Sequence, residues 1–85
     1  MKNRLKVERA ELNISQEELG LMTGVTKQTI NAIENGKYAP SGLVLMKIAR
    51  LCNKDVKDIF FLEDSDWTEH ELEHQKKILE KKNAL

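Results

Sequence analysis

The strongest constraint on this chain is a run of helix start and stop signals between Ser15 and Gly36. Ser15-Gln16-Glu17-Glu18 is a capping box, in which the serine hydroxyl accepts from the N3 amide and Glu18 reaches back to the cap. The helix it opens runs through Leu19 and Met22 to Thr23, where Gly24 supplies the positive φ that stops it. Thr26 then offers its oxygen as the next N-cap, and a third helix follows over residues 27–35, ended by Gly36. Two helices this short do not stand alone in water, so they must pack on each other across the turn Thr23-Gly24-Val25. Gly20 sits midway along the first, where Ala would be favoured by about 1 kcal/mol. Its value there is steric, because the lack of a side chain lets the second helix cross closely. Val25, Ile30 and Ile33 pin that second helix to the core. Gly20, Gly24 and these aliphatics at fixed offsets are the packing signature of a helix-turn-helix.

The flanking sequence continues in the same manner. A first helix is expected over residues 3–12, with an inward stripe of Leu5, Arg9 and Leu12 and Asn13 as a left-handed C′ residue. Pro40-Ser41 reads as a turn with a serine cap, opening a fourth helix over residues 42–52. Asp55 is expected to cap a short fifth helix over residues 56–61, with Asp58 near its positive end. After an acidic link over residues 63–66, Thr68 and Glu71 form another capping box, opening a tail helix over residues 68–82. With four Gly and one Pro, and no internal repeat, the expectation is an all-α protein: a five-helix bundle plus a C-terminal tail helix. Residues 1–62 read as one domain, and residues 63–85 as an acidic linker and helical tail that is a candidate dimerisation element. A chain of 85 residues buries a smaller fraction of its surface than a large one does, and benefits from a partner.

Net charge is zero, an unusual balance for a nucleic-acid binder, but the two parts differ. Residues 1–62 carry 10 Lys+Arg against 7 Asp+Glu, a net of +3, and residues 63–85 carry 4 against 7, a net of −3. A basic front with an acidic tail is compatible with DNA binding through one face. The outward face of the third helix presents Lys27, Gln28, Thr29 and Asn31, all polar and none acidic. Gln and Asn side chains match adenine edges in the major groove and Lys matches guanine, so these four are the candidate base-reading residues. Gln16, Thr26, Asn35, Lys37 and Tyr38 are placed to hold the DNA backbone. A solvated helix surface would look the same in isolation, and Gln16 and Asn35 also suit capping; the surrounding string favours the DNA reading.

Ser15-Gln16-Glu17-Glu18-Leu19, Gly24-Val25-Thr26-Lys27-Gln28-Thr29-Ile30 and Ile33-Glu34-Asn35-Gly36-Lys37-Tyr38 with Pro40-Ser41 together resemble the Xre family of lambda-repressor/Cro-like regulators. The resemblance covers about residues 3–62 and includes a motif like Asp58-Ile59-Phe60 near its end. It implies a five-helix bundle, operator binding as a homodimer, and repression as the usual outcome. It also implies a structural pair between Arg9 and Glu34, with a bidentate geometry. Gly42 departs from the large aliphatic residue usual at that position, and is expected to weaken the start of the fourth helix and leave space in the core.

Other features are weaker. The fourth helix has more apolar residues than one face can hold, which points to a second covered face, a dimer partner or the tail. Leu72 and Leu79 are seven apart, as are Ile78 and Leu85, too short a stripe for a coiled coil, with Trp67 as a natural interface anchor. Cys52 reads as a small core residue. His70-Glu71-Leu72-Glu73-His74 fits the H-E-x-x-H pattern of zinc peptidases, but no third ligand comes after it at a familiar spacing and a lone tail helix offers no cleft, so no catalytic or metal site is assigned. No signal segment or membrane-length apolar run is read, and the single cysteine suits a reduced, cytoplasmic setting. The sequence therefore predicts a cytoplasmic, sequence-specific transcriptional regulator rather than an enzyme. Its expected partners are double-stranded DNA and a second copy of itself, with no cofactor, membrane or small-molecule substrate. The alternative is an antitoxin-like module whose tail binds another protein.

Overall fold

The computed structural model describes residues 1–83. Leu85, half of one of the seven-residue pairs above, lies outside the described residues. The helices are α1 (Leu5–Glu11), α2 (Gln16–Thr23), α3 (Lys27–Glu34), α4 (Gly42–Cys52) and α5 (Glu69–Asn83), with two short strands, β1 (Lys2–Asn3) and β2 (Phe60–Phe61). The fold is all-α, as expected, with a small two-stranded pairing that was not.

One contiguous core draws on each of the first four helices and the segment after them. Leu5, Leu19, Ile30, Ile33, Ile48, Ala49, Ile59 and Phe60 are all buried, and Ile14, Val25, Val44 and Leu45 pack against them. Ile14 and Leu19 occupy the N′ and N4 positions of α2, the staple that fixes a chain's entry into a helix. Three helices end in the same way. Asn13, Gly36 and Asn53 have φ of 55°, 72° and 53°, and each is followed by a residue whose amide reaches back to the helix: Ile14 to the Arg9 carbonyl, Lys37 to Ala32 and Lys54 to Ala49. This Schellman pairing satisfies carbonyls that a helix end otherwise leaves open.

Several local expectations change. The fifth helix is only a single 3-10 turn, Val56–Asp58, and Asp55 makes no side-chain cap. Phe60–Phe61 instead pairs antiparallel with Lys2–Asn3, and the Arg4 amide donates to the Ile59 carbonyl at 2.8 Å. Aromatic residues favour extended backbone, and a six-residue helix does not recover its nucleation cost. The first helix begins two residues later than expected, because Asn3 is in β1 and its Oδ1 accepts from the Leu5 amide at 3.0 Å. Its inward face is Leu5 and Glu8, while Leu12 is exposed. Glu8 tolerates burial because Lys54 Nζ donates to both its carboxylate oxygens, at 2.7 and 2.8 Å, tying α1 to the end of α4. Gly42 leaves no hole in the core: it is exposed and a Cβ there would meet nothing within 4 Å. Met22, in the last turn of α2, is half exposed.

The tail differs from the rest. Its capping box forms as read, with the Thr68 amide donating to Glu71 Oε1 at 2.9 Å and the Glu71 amide to Thr68 Oγ1 at 3.1 Å. Yet no residue of α5 is buried. The chain has a radius of gyration of 16.0 Å, against about 12 Å for a compact chain of this length. The difference fits a helix that leaves the body as an arm.

Candidate nucleic-acid interface

The site is set by the crossing of α2 and α3. A Cβ on Gly20 would lie 2.6 Å from the Val25 carbonyl oxygen and 3.2 Å from the Thr26 carbonyl carbon. The backbone of the turn therefore sits directly on α2, and the Gly24 and Val25 amides both donate to the Gly20 carbonyl, at 2.8 and 2.9 Å. Gly24 takes φ 79°, as the turn requires. Thr26 caps α3, its hydroxyl accepting from the Thr29 amide at 3.1 Å. Ile30 and Ile33 are buried beneath, so the opposite face of α3 is turned to solvent.

On that face Lys27, Gln28 and Asn31 are exposed and Thr29 is half-buried. Gln16, from the first turn of α2, joins Lys27, Gln28 and Asn31 in lining one shallow depression. Residues read separately from the N-termini of two helices are thus brought together on one surface. Thr29 is the least available of the four candidate readers, because its hydroxyl lies 2.9 Å from that of Thr26. Asn35 donates to Asn31 Oδ1 at 3.1 Å, which ties a candidate backbone residue to a candidate reader. Lys37 and Tyr38 are exposed on the loop after α3, where Gly36 redirects the chain.

The carboxylate at the end of α3 is neutralised within the fold. Arg9 Nε donates to Glu34 Oε2 at 2.8 Å and Nη2 to Oε1 at 3.4 Å, the bidentate pair that the resemblance implies. The bond to Glu34 raises the Arg9 pKa above its ordinary value. Gln16 Nε2 donates to the same carboxylate at 2.9 Å, a link the sequence reading missed. The resemblance pairs Glu34 with Arg9 alone; the signal in the sequence for a second donor is Gln16 itself, one turn from the crossing. The Ser15 amide holds the Glu18 carboxyl below the usual glutamate range, so this acid is anionic but occupied at the α2 cap. Lys47 was also missed: its Nζ donates to the Thr23 carbonyl at 3.4 Å, placing a cation beside the turn.

Two other chemistry-bearing residues are engaged elsewhere in the fold. Burial, and next the nearby Glu8 carboxylate, push the Cys52 thiol pKa up, away from thiolate reactivity. Glu71, the base of the H-E-x-x-H pattern, is committed to capping α5. Among the described residues no helix is long and apolar enough to cross a membrane.

Residues 5–59 match the helix-turn-helix family. The chain is 46% identical over 66 residues to YgzD of Bacillus subtilis (strain 168), covering 78% of this chain and 100% of that protein. It is 48% identical over 66 residues to an HTH-type transcriptional regulator of Methanocaldococcus jannaschii, with the same shares covered. YgzD too is named an HTH-type transcriptional regulator, and neither is characterised. Among solved structures the chain resembles the P22 c2 repressor protein in complex with synthetic operator 9T. The TM-score is 0.61 at 28% identity, over 64% of this chain and 82% of that one. The arm α5 lies outside the matched residues 5–59. With its glycine-seated crossing, its partly buried arginine–glutamate pair and these relatives, the chain belongs to the helix-turn-helix family of transcriptional regulators, in its Xre, lambda-repressor-like branch.

Proposed function

We propose that this protein binds double-stranded DNA as a homodimer on a near-palindromic operator and represses transcription from it in the cytoplasm. The observation that carries the reading is the single surface formed by Gln16, Lys27, Gln28 and Asn31, set by the crossing at Gly20 and lined by no acidic residue. In this reading α3 enters the major groove and Lys27, Gln28, Thr29 and Asn31 read base edges. Gln16, Thr26, Asn35, Lys37 and Tyr38 hold phosphates and fix the register. Residues 1–62 act as the DNA-binding unit and residues 63–85 as an appended arm. The P22 c2 repressor's complex with an operator supports the assignment to DNA.

The test is footprinting on the DNA upstream of the gene at several salt concentrations, with the wild type, Gln28→Ala and Lys37→Ala. Gln28→Ala is expected to lose about 1–3 kcal/mol of discrimination at one base position in each half-site. Lys37→Ala is expected to weaken binding to all sequences alike and to lower the salt slope by about 1. Unpaired protection, or a Gln28→Ala protein with unchanged site preference, would overturn the assignment.

A further inference from the structure

We propose that α5 docks on the α2–α4 face of a second copy of this chain, each copy lending its arm to the other. The proposal rests on the reading of the chain as a homodimer and names the surface that makes it.

Two apolar surfaces stand unpartnered among the described residues. On the body, Leu21, Met22, Leu43 and Met46 are half or more exposed, Leu21 at 79% and Met46 at 68%. Met22, Met46 and Leu51 line a depression between α2 and α4, with Lys47 and Arg50 at its rim. Neither rim cation has an acidic partner among the described residues. On the arm, Leu72, Ile78 and Leu79 are exposed. The helical repeat aligns Leu72 with Leu79 and sets Glu69, Glu73 and Glu80 along one edge of that stripe, with Lys76 as the one cation among them and the edge still net acidic. Glu73 spends part of its charge on Lys77 at 3.1 Å, while Glu69 and Glu80 have no cationic partner among the described residues.

Charge decides the occupant. Pairing the α2–α4 face with its own copy would set Lys47 and Arg50 near the same cations. The arm offers the complement, an apolar stripe with an acidic edge for an apolar groove with a basic rim. The arm also needs a partner, because a helix of 15 residues with nothing buried is marginal in water. Its own body does not supply one. The link folds into a 3-10 turn, Asp64–Asp66, closed by the Glu63 amide donating to Asp66 Oδ2 at 2.8 Å. The Thr68–Glu71 box follows at once. These two successive caps direct the arm away from its own body. A reciprocal exchange is a closed two-fold arrangement, and it buries each arm–groove contact twice.

The experiment uses two full-length variants: an arm variant, Glu69→Lys/Glu73→Lys/Glu80→Lys, and a rim variant, Lys47→Glu/Arg50→Glu. Sedimentation equilibrium reads the dimer, and circular dichroism reads folding. Each variant alone should dimerise at least about tenfold more weakly than the wild type. An equimolar mixture should recover a dimer, because each arm then faces a rim of opposite charge. Met46→Ser, on an already exposed side chain, should fold normally and weaken the dimer without adding or removing a charge. A wild type that is monomeric at high concentration overturns the proposal. So does a rim variant that dimerises like the wild type, or a mixture that stays monomeric. If such a protein still protects paired half-sites, the arm exchange fails while the reading as a dimeric DNA-binding regulator stands.

Discussion

α2 and α5 begin with the same device and end in opposite situations. Ser15 with Glu18 and Thr68 with Glu71 form capping boxes of matching geometry. α2 then buries Leu19, Gly20 and Thr23, whereas α5 buries nothing. A capping box thus declares where a helix starts and carries no information about what the helix will touch. The difference lies in the residues beyond the cap. After Ser15 come a leucine at N4, a glycine that lets backbone meet backbone and a second glycine that turns the chain. After Thr68 come charged residues around a two-leucine stripe. The body is held by tertiary contacts, whereas within this chain the arm is held by its own capping.

The largest effect should separate the two regions outright. Ile30→Ala removes a fully buried side chain and should cost about 2–5 kcal/mol in urea unfolding, whereas Leu79→Ala, measured on dilute monomer, should change stability by less than about 0.5 kcal/mol. Equal losses would mean that α5 belongs to the cooperative core. Next comes Gly20→Ala, which should destabilise by about 1–3 kcal/mol even though Ala gains about 1 kcal/mol in helix propensity, because the added carbon meets a carbonyl that is itself part of the turn. Gln75→Ala in the arm has only the propensity gain. Thermal melts that rank these two substitutions the other way would show that the crossing yields.

Cap removal is a finer probe. Ser15→Ala should lower the stability of the body by about 1 kcal/mol while leaving its helix content intact, since packing still holds α2. Thr68→Ala should lower helix content itself, read by far-UV circular dichroism, with little change in the unfolding midpoint. Smallest of all is the response to acid. The Thr68 amide holds the Glu71 carboxyl below the usual glutamate range, and the Ser15 amide does the same for Glu18. A depressed pKa contributes stability that is complete above the ordinary glutamate range and is lost as the pH falls through the lowered value. The arm should therefore lose helicity in that window before the body does. Simultaneous loss would again join α5 to the core.

The parts of this structure written locally were legible. Ser15, Thr26, Ser41 and Thr68 cap helices where read, and Asn13 and Gly24 adopt left-handed backbone where turns were expected. Gly20 has the steric role inferred from its awkward position. What escaped depends on partners far away in the chain. Phe60 and Phe61 pair with Asn3 and Lys2, more than fifty residues distant, and no periodicity in a six-residue segment announces that. Glu8 looks like a surface acid until Lys54 arrives to accompany it inward. Asn53 ends α4 as Asn13 ends α1, yet among charged neighbours it gives no comparable signal. The Arg9–Glu34 pair came from resemblance, and the third member, Gln16, appeared only once α2 and α3 were set against each other.

The seating of Gly20 against the Val25 carbonyl has a consequence for how such a protein can change. The angle between the two helices is fixed by main chain against main chain, so it does not depend on the side chains that face outward. Lys27, Gln28 and Asn31 can be exchanged without disturbing the mount that presents them. On the proposed reading, a lineage carrying this joint could rewrite the message one letter at a time, keeping a working scaffold at every step, so long as the one position that forbids a side chain stays empty.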